Sequence, residues 1–128
     1  MASTDDLQRV RFEKLIELTT KGRRTGRPHA VTLWFAAVDD QIFLSHEGEE
    51  TDWMRNIRKN DHIFFKIRGL EFQGIAHFLD DTSAEISVAK KSLYEKYYGK
   101  ATRETIDDWF SMSKLLLVRL KSSTKGCF

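Results

Sequence analysis

Lys21, Arg23, Arg24 and Arg27 crowd into the stretch LTTKGRRTGRPHAVTLWF (Leu18 to Phe35), which holds no acid and contains the chain's sole proline. Guanidinium groups give charge-assisted, often bidentate hydrogen bonds to phosphates and carboxylates. Gly22 and Gly26 permit tight or left-handed backbone, so successive amides of such a turn can also aim at one anion. The chemistry within reach is anion binding, and the plain alternative is a solvated basic turn. The spacing fits neither a Walker A loop nor the dinucleotide fingerprint. A second cluster, LSHEGEETDWMRNIRKN, sets Ser45 and His46 at the end of a strand and places Trp53, Asn56, Ile57 and Arg58 on a short helix.

Other residues that often carry chemistry do not form a site by spacing. His29, His46, His62 and His77 fall on strands or strand ends without metal-ligand spacing, and no metal is expected. No nucleophile and base pair stands out, so no catalytic residue is assigned. Tyr94, Tyr97, Tyr98, Trp109 and Phe110 recur at helical spacing, which reads first as core and second as the lining of a substrate pocket.

The elements that must position these residues follow from periodicity. Leu15 to Thr20 is a short β-prone run, and Pro28 to Val38 reads as one longer strand with Val31, Leu33, Phe35 and Ala37 on one face. Asp39-Asp40 turns the chain into QIFLSH, and Thr51 with Asp52 opens a helix of about two turns. HIFFKIR alternates with Ile63, Phe65 and Ile67 inward, Gly69-Leu70 turns it into EFQGIAHFL, and Asp80-Asp81 closes that hairpin. Thr82 to Tyr98 reads as helix ended by Gly99, a further helix starts at Thr102, and KLLLVRL is a final apolar strand. Hairpins, not crossover helices, do most of the joining, so the expected fold is mainly β (α+β), a small antiparallel barrel with flanking helices.

Composition sets the outer bounds. At 128 residues, with 41% hydrophobic and 31% charged residues, the chain reads as an ordinary soluble protein and as one domain over 1–128, with 121–128 as a flexible polar tail. A net charge of +2, with the acids Glu47, Glu49, Glu50 and Asp52 beside the basic segments, argues against a nucleic-acid partner. Cys127 is the single cysteine, so no intrachain disulfide is expected. The N-terminus lacks the apolar core of a signal peptide, and no apolar run approaches a membrane span; the expected location is cytoplasmic, without membrane insertion.

Taken together, Leu18 to Asn60 carry a Leu-Thr-Thr, Gly-Arg-basic-Thr-Gly, strand, Trp-x-x-Asn-aliphatic-basic pattern. It resembles the deazaflavin-dependent nitroreductase family, within the flavin-reductase and pyridoxamine 5'-phosphate oxidase-like split-barrel superfamily. The resemblance implies an FMN-binding-like split β-barrel that works as a homodimer, with a deazaflavin coenzyme or FMN in a groove at the subunit interface. It implies that Arg23, Arg24 and Arg58 hold the cofactor's phosphate and tail, aided by Thr25, Gly26, His29 and Asn56. It also implies that Thr32, Leu33 and Trp34 run along the ring, with Ser45 and His46 approaching from the neighbouring strand. The chain departs from the family at Thr32, where proline is common, in the short acidic link from Ser45 to Trp53, and in lacking the long N-terminal helix of some members.

The absence of a catalytic pair agrees with cofactor chemistry, in which the cofactor moves the hydride and the protein binds, orients and sets the electrostatics. The function implied is an oxidoreductase passing hydride to a small planar acceptor such as a quinone or nitroaromatic. The alternative is a non-catalytic barrel that carries flavin, haem or an apolar ligand. The surplus of basic residues at 21–27 over what one phosphate needs favours the deazaflavin coenzyme, whose phosphodiester is followed by an oligoglutamate tail.

Overall fold

In the computed structural model, which describes residues 3–121, each apolar alternation in the sequence becomes a strand of one sheet. The elements in order are α1 (Thr4–Val10), β1 (Leu15–Lys21), β2 (Pro28–Trp34), β3 (Ala36–Val38), β4 (Gln41–Glu47), α2 (Asp52–Lys59), β5 (His62–Ile67), β6 (Leu70–Leu79), α3 (Ile86–Tyr98), α4 (Arg103–Trp109) and β7 (Ser113–Leu120). The strands form a seven-stranded sheet in the order β2-β1-β5-β6-β7-β4-β3, with every pairing antiparallel. β2 and β3 form the two opposite edges, yet only Phe35 separates them in the chain. The sheet therefore curls until its edges meet, which makes a split β-barrel with four flanking helices.

Two cores follow from this closure. Ile16, Leu18, Phe35, Ile42, Leu44, Ile63, Phe65, Phe72, Leu116 and Val118 fill the barrel, together with Leu7 and Val10 from α1 and Trp53, Met54 and Ile57 from α2. On the outside, Phe43, Leu115 and Leu117 meet Ala89 and Leu93 of α3, Ile106 of α4 and Phe110. β4 and β7 are thus buried on both faces. This explains why KLLLVRL reads as an unbroken apolar run instead of an alternation.

Three expectations are corrected. Pro28 to Val38 is two strands, because at Phe35 the chain leaves β1 and joins β4. The helix read from Thr82 begins at Ile86: the Asp80 carboxylate accepts from Thr82 N–H and Oγ1 at 2.8 and 2.6 Å, and this local turn holds the chain out of helix. A short N-terminal helix, α1, was not read; its signal is a capping box in which Ser3 Oγ accepts from Asp6 N–H and the Asp6 carboxylate accepts from Ser3 N–H. Residues 121–128 and Cys127 lie at or outside the limit of the described residues.

Smaller devices fix the ends. Arg68 and Gly69, at φ 51 and 82, turn β5 into β6, and Gly99 ends α3 at φ 87, where any side chain would be strained. A Cβ on Gly74 would lie 2.5 Å from Val118 Cγ1, so β6 and β7 need glycine there to pass each other. The Lys96 ammonium donates to Arg11 O at the end of α1 and sits 3.6 Å from the Phe35 ring centre; burial pushes it down to about 8, with Glu13 opposing.

The break at Phe35 needs its own partner, because neither neighbouring ladder covers it. Tyr97 provides it: its hydroxyl accepts from Phe35 N–H at 3.0 Å and lies 2.7 and 2.8 Å from the Lys14 and Phe35 carbonyls, to one of which it donates. Tyr97→Phe is expected to cost about 1–3 kcal/mol, the penalty for leaving buried backbone groups unpaired, without loss of secondary structure. Urea denaturation checks this, and a variant as stable as wild type would show that the hydroxyl carries no structural load.

Candidate functional site

The glycine-arginine turn between β1 and β2 is closed by its own backbone. Gly22 N–H donates to Arg27 O and Gly26 N–H to Gly22 O, both at 2.8 Å, and Arg27 N–H donates to Thr25 Oγ1 at 3.2 Å. Gly26 sits at φ 74, and a Cβ on Gly22 would crowd Arg27 O at 3.0 Å, which explains both glycines. The expected cradle of amides is narrowed: the N–H groups of Gly22, Arg23, Gly26 and Arg27 are spent inside the protein, which leaves those of Arg24 and Thr25 beside the side chains of the turn.

Those side chains divide into two sets. Asn56, 3% exposed, accepts from Arg23 N–H at 3.1 Å and Arg23 Nη1 at 3.0 Å through Oδ1, while its Nδ2 donates to the buried Thr20 hydroxyl at 3.0 Å. Arg23 also reaches Asp52 at 3.3 Å. Asn56 is thus a positioning residue that ties α2 to the turn, and Arg23 is half committed to the same task. Arg24 and Arg27 are exposed and have no side-chain partner among the described residues. With Thr25, Pro28 and His29 they face an open depression of about 380 Å³. Thr25 keeps its hydroxyl proton free to donate, since it only accepts within the turn. Arg27 belongs to the basic segment read from the sequence, though not to the residues that the resemblance assigns to the cofactor.

Arg58 is not brought to this depression. It lies on the far side of α2, where its guanidinium forms two bonds to Glu50, at 2.7 and 2.9 Å, and stacks 3.8 Å from the Phe78 ring centre. That pairing holds the Glu50 carboxyl below its ordinary range. Positions 56 and 58 of a helix are about 200° apart, so one cannot share a face with the other.

The opposite end of β2 carries a different site. Beyond the β3 pairing, which ends at Ala36 and Phe43, β4 continues from Leu44 to Glu47 paired to β7 alone. Continuing the Ala36 to Phe43 register would put Trp34 across from Ser45, and the gap between them is a cleft of about 230 Å³. Trp34 and Trp109, 51% and 53% exposed, wall it with Tyr94, Tyr97 and Tyr98, and Ser45, Glu47 and Ser113 line the other side. Trp34 stacks on Tyr97 with centroids 4.3 Å apart at 10°, while Tyr94 and Tyr98 stand at 81° and 57° to Trp109. The aromatic residues read first as core are split: Phe110 is buried, and the others form this wall.

Strand alternation sorts the remaining expectations. Trp34 and Thr32 face outward on β2, but Leu33 packs on the barrel core. Ser45 faces the cleft and His46, its neighbour, points the other way. Among the described residues, no group of three or more His, Cys, Asp or Glu side chains is placed to hold a metal.

Asn56→Leu removes three hydrogen bonds while keeping the branched heavy-atom skeleton, and leaves Thr20 unpaired. It is expected to destabilise the fold by about 1–3 kcal/mol and to loosen the turn. Denaturation together with hydrogen exchange at residues 22–27 checks this; unchanged exchange would mean that the turn holds its shape alone.

Comparison with known proteins agrees with the fold. No curated protein matches the chain in sequence. A conserved hypothetical protein of Mycobacterium tuberculosis aligns in structure with a TM-score of 0.75 at 22% identity, over 94% of this chain and 81% of the other. A putative 5-nitroimidazole antibiotic resistance protein of Bacteroides thetaiotaomicron gives 0.73 at 12% identity, over 95% and 82%. A protein named F420 reductase gives 0.64 at 19% identity, over 91% and 93%. At these identities the likeness is one of fold. The sequence itself matches the family described as F420H(2)-dependent quinone reductase over residues 5–106, well beyond the motif at 18–60. The chain belongs to the F420H(2)-dependent quinone reductase family.

Proposed function

We propose that the protein is an oxidoreductase that uses the deazaflavin coenzyme to reduce a small planar acceptor such as a quinone. One observation carries the reading: a single strand, β2, has unpaired arginines at one end and an aromatic cleft at the other. At a rise of about 3.3 Å per residue, His29 and Trp34 lie about 17 Å apart, a span suited to an elongated cofactor with an anionic tail and a flat ring. The coenzyme, when bound, supplies the hydride chemistry. The protein's residues bind and orient it.

Arg24, Arg27 and Thr25 would hold the phosphodiester and the start of the tail, with Arg23 kept in place by Asn56. Lys21 and His29 extend the basic track along the same edge. Trp34 and the free edge of β4 from Leu44 to Glu47 would receive the ring and the acceptor, and the tyrosines and Trp109 would keep water from their faces. The number of free cations favours the deazaflavin coenzyme over FMN, whose one phosphate needs about two or three donors. The outward faces of β1 and β5, with Leu15 and Phe64 about half exposed, support a homodimer that completes the groove.

The test is titration of the purified protein with each cofactor at low and high salt. The deazaflavin coenzyme is expected to bind tighter than FMN, with the larger salt dependence, and reduced coenzyme is expected to reduce a quinone at catalytic rates. Arg24→Ala and Arg27→Ala should each weaken coenzyme binding by about 1.5–3 kcal/mol, and Arg58→Ala should leave it unchanged. Tighter FMN binding at both salts, or binding without turnover, would sink the reductase reading. Sedimentation should show a dimer; a monomer that binds coenzyme fully would refute the shared groove.

A further inference from the structure

The charge inside the aromatic cleft is one-sided. Among the described residues, Glu47 is the only acidic or basic side chain that lines it, and it has no ion pair there. Its position is fixed: it ends β4 opposite Ser113, and the next residue, Gly48, donates its N–H to Met112 O at 3.1 Å. The cations nearby are engaged elsewhere. Lys96 lies 5.5 Å from the Tyr97 ring centre and donates to Arg11 O, Lys90 pairs with Asp107, and Lys114 follows Ser113 on β7 and so faces away from it.

The walls add to this sign. Trp34, Tyr94, Tyr98 and Trp109 line the cleft with π systems, which attract cations, and they pack on one another at centroid distances of 4.8 to 6.2 Å with inclinations of 42° to 81°. A carboxylate beside inclined aromatic faces favours a flat cation over a flat anion.

The proposed reaction gives the same answer from charge balance. A planar cation that takes hydride, two electrons and one proton, becomes a neutral product, and the reduced coenzyme releases its remaining proton to solvent. A neutral quinone that takes hydride becomes a hydroquinone monoanion until a proton reaches it. That anion would form beside Glu47. The cleft offers the first product no penalty and the second a repulsion.

We propose that the cleft prefers planar acceptors bearing positive charge, with Glu47 as the residue that sets the preference. The inference rests on the reductase reading for its chemistry but not for its binding. The probes are methylene blue, a planar cation, menadione, a neutral quinone, and 1,2-naphthoquinone-4-sulfonate, an anion. Methylene blue is titrated into the coenzyme-free full chain, followed by its visible spectrum, so that the sulfonate's attraction to the arginine turn is not counted. It is expected to bind, to be displaced by menadione, and to resist displacement by the sulfonate. Glu47→Gln should weaken methylene blue by about three- to tenfold and leave menadione unchanged, Glu47→Asp should keep the preference, and Glu47→Lys should reverse it. Equal affinity for methylene blue in wild type and Glu47→Gln would overturn the proposal. With reduced coenzyme present the two readings separate. Turnover of menadione with a methylene blue to menadione ratio that Glu47→Gln does not alter would overturn the preference and leave the reductase standing. Cation binding that depends on Glu47, with no acceptor turned over, would support the preference and remove the reductase.

Discussion

A strand that serves both edges of one sheet must change partners somewhere, and in this protein it does so at Phe35. The side chain of Phe35 is wholly buried in the barrel, so the chain cannot swing outward there to solvate its backbone. Its N–H has left the β1 ladder and has not joined β4, and a buried N–H without a partner is costly. The Tyr97 hydroxyl meets that need from α3. Once α3 is tied to this point, its neighbours Tyr94 and Tyr98 necessarily stand over the gap that the departing strand leaves. The barrel's closure and the cleft's aromatic wall are thus two results of the same constraint.

A comparable economy governs the basic end of β2. Arginines near each other repel, and a turn that carries several needs an internal anchor that adds no net charge. Asn56 supplies one, with its amide spent on Arg23 and Thr20 at 3.0 to 3.1 Å. Asp52 neutralises part of Arg23 and also faces Arg55. The turn therefore keeps its shape without an anion present, and Arg24 and Arg27 retain their donors. Preorganised donors lose less entropy when a ligand arrives than donors that must first be gathered. The two ends of β2 are opposite in character: cationic at the turn, and aromatic with one carboxylate at the cleft.

Much of the barrel was legible because its signals are local. The pair Asp39-Asp40, the alternation of Ile63, Phe65 and Ile67, and the apolar run ending at Leu120 each follow from short-range pattern, and all lie in strands or turns as read. What failed to show was set by residues distant in the chain. The break at Phe35 depends on Tyr97, 62 residues away. Arg58 sits two positions after Asn56 and belongs to the same motif, but helical rotation sends it to Glu50 and Phe78 instead of the turn. His46 and Leu33 fall beside residues that do face the proposed site, and strand alternation turns both away. In each case the motif groups residues that are close in sequence, and geometry decides which of them share a face.

The aromatic residues of α3 and α4 show why spacing alone could not separate wall from core. Ala89 and Leu93 of α3 are buried against β4 and β7, while Tyr97 and Tyr94, which follow at helical spacing, extend past the end of that contact into the gap. The same stripe is core where a strand lies beneath it and cleft where the strand has departed. The floor of the cleft belongs to β4 and β7, whose two buried faces leave little freedom to change without disturbing both cores. The roof is less constrained, since Tyr98 and Trp109 are half exposed and each ends its helix, Tyr98 that of α3 and Trp109 that of α4. A barrel of this kind can therefore keep β4 and β7 fixed while the roof and the rim residue Glu47 vary, and under the proposed function selectivity for the acceptor is expected to reside where the packing leaves room for it.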